Sequence, residues 1–514
     1  MRATSTNAGS EHDDQSTLPG LFESAVFEDP CLDLPERCYI RTAPDPGPLP
    51  RLLYLNQPLC RALGLDPDAR DAEGWAALLS GREAARQGVS DHADAVALAY
   101  AGHQFGHFSP SLGDGRAHLL GALRDAQGRQ HAVQLKGSGR TPFSRGGDGL
   151  AALGPVLREY LMSEAMHALG VPTTRALAVV TTGRSVYRET AQPGAILTRI
   201  ARGLLRVGTF EYFAARGDTA VVQALVAHAL RHLHPDHDGA ANPALALLEA
   251  VAAAQAELVA HWMSLGFIHG VMNTDNVAIS GETIDYGPCA FMNPHDAATV
   301  YSAIDHQGRY AYGNQPAIAQ WNLARFAEAL LPVFPGDRDQ ALAEASAVVT
   351  GFADRYERAR LARYRAKLGL SGAEADDAAL IDALLESMRV GAADHTLVFR
   401  RLADLRADPS AEAEWLALFG AGAGASDWLT RWRERSGPPD AAAAAAMRGV
   451  SPALIPRNHH VDAALRAAVE EGDFSLFERL QSACSDPFND RPAFADLCAP
   501  PPPGGDIRNT FCGT

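Results

Sequence analysis

Near residue 206 the spacing of apolar side chains changes period, and this change limits the fold more than any other feature. Upstream, AHLLGALR (117–124) and HAVQLKG (131–137) flank a Gly-bearing turn over 125–129, the pattern of an antiparallel hairpin. RALAVVTT and GAILTRIA, either side of a turn at 182–185, predict a second strand pair. Between the pairs, LGPVLREYLMSEAMHALG sets Leu153, Leu157, Leu161 and Ala165 on one helical face and is stopped by Gly170 and Pro172. Downstream the helical period dominates: 210–233, an Ala-rich helix across 242–266, and several through 317–435. Only 269–287 interrupts it, with the short β-like runs VAIS and ETIDYG.

A small antiparallel β-lobe with one helix, followed by a larger helical lobe, is the layout of a protein-kinase-like bilobal fold of the α+β class. The expected division is 1–20 disordered, 21–110 an N-terminal extension, 111–205 the small lobe, 206–435 the helical lobe, and 436–514 a linker and tail. APDPGPLP (43–50) reads as a connector, 91–100 as helical, and 436–451 with its alanine tract as a linker.

A formal charge of -16 excludes the basic footprint that a nucleic acid or an anionic membrane requires. The Ala-rich run 244–266, broken by Glu249 and Glu257, falls short of the roughly 18 apolar residues of a membrane span. Seven scattered cysteines form no CxxC pair, which implies a reduced, cytoplasmic protein; nothing demands more than a monomer. Of 45 basic residues only Lys136 and Lys367 are lysine, and the rest are arginine. Arginine is a planar fork and lysine a reorientable point charge, so each lysine needs a reason. Lys367, in the arginine-rich RYERARLARYRAKLG, offers none from sequence.

Lys136 does, because it belongs to an ordered series. Gly113-Asp114-Gly115-Arg116 precedes the hairpin, Lys136 ends its second strand, and Glu159 follows on the helix. His269-Gly270-Val271-Met272-Asn273-Thr274-Asp275-Asn276 and Asp285-Tyr286-Gly287 come later. In kinases a strand Lys held by a helix Glu binds nucleotide phosphates, while a loop Asn and the Asp of a D-F-G triplet hold Mg²⁺. Taken alone, GDGR reads as a surface turn and Glu159 as a solvated helix residue; the order of the parts makes the pattern specific. One position departs from it. Where a kinase carries its base, two residues after the His, this chain has Val271, which cannot accept a proton. Asp275 is the substitute carboxylate.

YAGHQFGHFSPSLGDGRAHLLG, QLKGSGRTPFSRGGDGLAALGPVLREYLMSEAMHALGVPTTRAL and HGVMNTDNVAISGETIDYGPCAFM resemble the selenoprotein O family, pseudokinases that act as protein adenylyltransferases. The likeness resumes at IPRNHHVDAAL (455–465) and reaches Cys512. It implies an enzyme that binds ATP flipped relative to kinases and transfers AMP to Ser, Thr or Tyr hydroxyls of proteins, releasing pyrophosphate. It implies nucleotide contacts from Gly113, Gly115, Arg116, Lys136, Asp148, Gly149, Arg199, Arg206 and Asp285. Asn276 and Asp285 would ligate Mg²⁺, with Mn²⁺ the alternative, and Asp275 would accept the proton. Two rival readings stand: a catalytically silent nucleotide-binding scaffold, and a small-molecule or protein kinase.

Three weaker signals complete the reading. His103 and His107 have a metal-compatible i, i+4 spacing, but Gln104 replaces the zincin Glu, which favours structural hydrogen bonding. His459-His460 reads as ordinary. Cys289 follows the D-Y-G triplet and Cys512 lies on the C-terminal tail, so either an oxidation staple joins them or both are inert thiols.

Overall fold

The computed structural model describes residues 27–28, 34–87, 95–502 and 504–510. The expected disordered stretch 1–20 and Cys512 lie outside them. The chain is mixed α and β, organised on one antiparallel sheet and a large set of helices.

Seven strands form the main path of the sheet: β1 (Tyr39–Arg41), β2 (Arg51–Leu55), β3 (Val96–Leu98), β4 (Ala117–Arg124), β5 (Gln130–Lys136), β6 (Arg175–Tyr187) and β7 (Ala191–Ala201). Their spatial order is β1-β3-β4-β5-β7-β6-β2. The β4–β5 hairpin is the one the sequence predicts, but β6 runs on past the expected turn at 182–185. An irregularity between Thr181 and Ser185 absorbs the Gly183 bend within the strand, and the reversal falls at 188–190. The stretch 91–100 also differs: its described part holds β3, because pairing with β1 and with Leu119 of β4 overrides the helical propensity of its alanines.

Helix α1 (Leu153–Ala168) lies on one face of the sheet and buries Leu153, Val156, Leu157, Tyr160 and Leu161. Two short helices, Gln57–Ala62 and Ala72–Leu79, cover the opposite face: Leu59, Trp75, Leu78 and Leu79 pack on Leu135, Leu177, Val180 and Ile196. Each such side chain contributes roughly 1.5–3 kcal/mol by leaving water. Strands β1, β2 and β3, all before residue 110, are therefore part of the same sheet as those after it.

Helices α2 (Val207–Ala214) and α3 (Thr219–Leu233) replace the single helix expected at 210–233, because Gly217 takes a positive φ and Asp218 caps the second helix through Val221 N. Helix α4 (Pro243–Leu265) starts at the Asn242 cap and stops at left-handed Gly266. It is long and apolar enough to cross a membrane, which the sequence reading denied, but 67% of its most apolar window is buried inside the fold. The β-like runs in 269–287 form no strands, only single bridges such as Thr173–Thr283 and Arg206–Ala278. Helices α5 (Phe352–Leu368), α6 (Asp377–Val390) and α7 (His395–Ala407) build a separate core with Trp415, Trp428 and Trp432. The expected linker 436–451 contributes to that core. Asp440 caps a helix over Ala441–Arg448, and Ala444 and Met447 are buried.

Candidate functional site

Strand pairing places the first members of the site. In the β5–β7 register Lys136 faces Leu197 and Gln134 faces Arg199, so Lys136, Gln134 and Arg199 project from one side of the sheet. Helix α1 brings Glu159 to that side. Lys136 Nζ donates to Glu159 Oε2 at 2.6 Å and to Asp285 Oδ1 at 2.6 Å. Arg199 Nη2 donates to Glu159 Oε1 and, at 2.6 Å, to Asp285 Oδ1, while its Nη1 meets Gln134 Oε1 at 3.1 Å. Arg206, at the start of α2, gives Nη1 to Asp285 Oδ2 at 2.6 Å and to the Asp275 carbonyl. Its guanidinium lies 4.8 Å from the ring centroid of the half-buried Tyr100.

Three cations thus converge on two carboxylates in a buried space. Burial works against the ionised form of Asp285, but Lys136, Arg199 and Arg206 outweigh it and hold the carboxyl well below its ordinary range. Glu159 is lowered in the same way: burial opposes, and Arg199 and Lys136 prevail. Asp285 also has φ 66°, a left-handed conformation that a non-glycine residue keeps only when its surroundings fix it.

The loop before it holds Asp275 and Asn276 in a short 3₁₀ turn. Asn276 Nδ2 donates to the Val271 carbonyl at 3.0 Å, so the carboxamide oxygen is the group left to face a cation. Burial pushes Asp275 up to about 6 against the pull of Arg206, and its Oδ1 is buried without a hydrogen-bond partner. The strand Gly102–Gln104 lies directly over it: a Cβ at Gly102 would sit 2.2 Å from Asp275 Oδ1. Gln104 Nε2 is 3.5 Å from Asp275 Oδ2. His103 and His107 sit on paired short strands rather than one helix face. His103 Nδ1 meets Glu211 Oε1 at 2.6 Å, and the same carboxylate accepts from Thr274 at 2.5 Å, the structural role that the sequence favours.

The glycine loops are knitted together beside this cluster. Thr141 Oγ1 donates to the Asp114 carbonyl at 2.6 Å, and Ser144 Oγ to the Gly115 carbonyl at 2.5 Å. Gly113, at φ 65°, lies so close to Phe143 that a Cβ would approach the ring to 2.2 Å. The Arg116 carbonyl accepts from Gly137 N, the residue after Lys136, at 2.7 Å. In the second loop Asp148 is held by Arg188 at 2.8 and 3.1 Å, with Gly149 beside it at φ 70°.

The structure therefore gathers Lys136, Arg199 and Arg206 on Asp285, ties Lys136 and Arg199 also to Glu159, and sets the Asp275 carbonyl on Arg206. Arg116 and Gly113–Gly115 sit at the loop abutting Lys136, and Asp148 and Gly149 lie farther out. Sequence reasoning missed Gln134, Asp114, Tyr100 and Gln104. Gln134 Nε2 donates to Asp114 Oδ2 at 3.0 Å, completing a chain from the first glycine loop to Arg199. The period of two counted back from Lys136 marks Gln134; nothing local marks Tyr100.

The protein adenylyltransferase SelO family model matches residues 22–485. A protein nucleotidyltransferase YdiU of Rhodopseudomonas palustris (strain BisB5) is 53% identical over 95% of this chain and 99% of its own length. YdiU proteins of Rhizobium etli (strain ATCC 51251) and a Bradyrhizobium species (strain BTAi1) are each 52% identical over 95% of this chain, covering 97% and 99% of those proteins. By the extent of these matches, the chain belongs to the SelO family of protein adenylyltransferases.

Proposed function

We propose that this chain binds ATP with Mg²⁺ or Mn²⁺ at the Lys136–Asp285 cluster and transfers AMP to Ser, Thr or Tyr hydroxyls of other proteins, releasing pyrophosphate. The carrying observation is the gathering of Lys136, Arg199 and Arg206 on the Asp285 carboxylate in a protein of net charge -16. A polyphosphate is the ligand that such a cation cluster matches.

In this reading Lys136, oriented by Glu159, meets phosphate oxygens together with Arg199 and Arg206. Gly113, Gly115, Arg116, Asp148 and Gly149 line the nucleotide. Asn276 and Asp285 fit a hard cation, since they offer a carboxamide and an ionised carboxylate oxygen. Among the described residues no group of three or more His, Cys, Asp or Glu converges, so phosphate and water oxygens would complete the shell. When bound, the cation would neutralise charge developing on the phosphates. Asp275, beside Asn276, takes the proton of the acceptor hydroxyl. Val271 supplies only a carbonyl to Asn276, which argues against kinase chemistry. The same reading groups 111–205 and 206–435 as the two lobes of a protein-kinase-like fold, flanked by extensions 21–110 and 436–514.

Incubation with ATP labelled at the α- or the γ-phosphate tests the proposal. Protein-bound α-label alone is the expected result. Bound γ-label would make the chain a kinase, and no label with ATP binding intact would make it a scaffold.

A further inference from the structure

The loop that follows Asp285 gives up three consecutive carbonyls to side chains from distant parts of the chain. Arg158 Nε donates to the Gly287 carbonyl at 3.2 Å, and Arg158 Nη2 donates to the Cys289 carbonyl. Thr510 Oγ1 donates to the Pro288 carbonyl between them at 2.6 Å. Arg158 is the neighbour of Glu159 on α1, so one guanidinium ties the helix carrying Glu159 to the loop carrying Asp285. The fork is itself held from the C-terminal region. Arg158 Nη2 donates to Asn458 Oδ1 at 3.0 Å, and Asn458 Nδ2 donates to the Ile507 carbonyl at 2.8 Å. Next to it the buried Arg457 donates to Asn293 Oδ1 at 2.6 Å and to Asp394 Oδ2 at 2.7 Å.

Arg158 is 9% exposed and, among the described residues, has no carboxylate within ion-pair distance. Burying an unpaired cation costs several kcal/mol, and an apolar side chain of similar volume would pack at lower cost. What the guanidinium adds is direction: its fork reaches two carbonyls of the loop and the amide of Asn458 together. Direction matters here because Asp285 sits in a left-handed conformation and must keep its carboxylate level with Lys136. A shift of about 1 Å between reacting groups can cost about 100-fold in rate.

We propose that Arg158 is a positioning residue for the nucleotide site, setting α1 against the Asp285 loop, and that Asn458 in turn sets Arg158. The C-terminal region is thereby a working part of a site whose ligand-facing residues all lie before 290. The inference rests on the proposed ATP chemistry, so its test has a binding arm as well as a transfer arm.

The test compares wild type with Arg158→Met and Asn458→Ala for α-label transfer, for calorimetric ATP affinity with and without Mg²⁺, and for thermal midpoint. The expected result for Arg158→Met is a fall in kcat of about 10–100-fold with KM for ATP changed less than about threefold. The gain in ATP affinity on adding Mg²⁺ shrinks, and the thermal midpoint holds or rises. Asn458→Ala shows the same pattern more weakly, and the double variant is no worse than Arg158→Met alone. Should Arg158→Met not fold, Asn458→Ala and Thr510→Val carry the test. Unchanged kcat and Mg²⁺ response in folded variants would overturn the proposal, as would a loss of activity that only tracks a fall in thermal midpoint. A wild type without α-label transfer would sink the adenylyl reading, while the Mg²⁺-linked affinity would still decide the role of Arg158.

Discussion

Around the half-buried Lys136 counter-charges gather; around the buried Lys367 there are none among the described residues. Lys136 lies 2.6 Å from both Glu159 and Asp285 in a cluster shared with two arginines. Lys367 is 3% exposed on α5, with its Nζ 4.8 Å from the ring centroid of Phe399 on α7. Among the described residues the charged or titratable groups bearing on it are Arg363 on its own helix, His261 from α4 and His395 from α7, and none is a carboxylate. Burial, with Arg363 adding to it, pulls the Lys367 ammonium down to about 7. Beside Arg158, which is held by carbonyl oxygens, the two lysines show two further ways of keeping a basic group inside a protein: surround it with opposite charge, or let it discharge. Arginine serves the first and cannot serve the second, because it stays protonated. That gives Lys367, which looks accidental in the sequence, a physical reason to be lysine.

The largest effect is expected at the charged end of the comparison. Asp285→Ala should lower α-label transfer about 10³-fold, by removing the carboxylate on which the three cations converge; undiminished labelling would take Asp285 out of the site. Lys136→Arg should cost about 10–100-fold, since a guanidinium cannot occupy the ammonium position between Glu159 and Asp285 without displacing both. Full activity in that variant would return this lysine to composition bias.

At the other end the readout is stability. Lys367→Arg should lower it by several kcal/mol in chemical denaturation, with transfer activity kept in the folded fraction. Lys367→Met should raise it by about 1–3 kcal/mol at neutral pH. The pH dependence follows from the direction of the shift. Between about 7 and 10.5 the unfolded chain keeps the Lys367 proton that the folded chain has lost, so folding becomes more favourable as pH rises through that window. The penalty is full below about 7. The advantage of Lys367→Met should accordingly shrink by up to about 1.4 kcal/mol per pH unit and pass through zero before about pH 10. A constant gap would mean the amine does not discharge. The smallest effect is the coupling between Lys367 and Phe399: a double-mutant cycle with Phe399→Leu should give about 0.5–2 kcal/mol below pH 7 and less above it.

Much of the charged cluster was legible in sequence because its members have fixed order and spacing on elements of clear periodicity. Lys136 ends an alternating strand, Glu159 lies on a well-marked helix, and Asn276 and Asp285 follow a recognisable His. Arg199 and Arg206 were legible only through the family resemblance, since an isolated arginine in an arginine-rich chain says nothing by itself. Gln134 was readable from strand alternation, whereas Tyr100 and Gln104 reach the site through tertiary packing alone. The same limit explains β3, where pairing with β1 and β4 decides the conformation of an Ala-rich stretch. The helix at Ala441–Arg448 was there to be read, from Asp440 followed by six strong helix formers, but the low complexity suggested a linker.

The contact between Arg158 and Asn458 spans 300 residues of chain, and this separation has a meaning during protein synthesis. The ribosome makes the sheet, α1 and the Asp285 loop long before Asn458 emerges, and domains generally fold as they appear. Until then the Arg158 fork lacks its third oxygen, and Thr510 has not yet been made to take the Pro288 carbonyl. A translation product stopped short of residue 458 would carry every cation of the site with the brace missing. In the nascent protein the brace is therefore finished only after the whole charged cluster has been made.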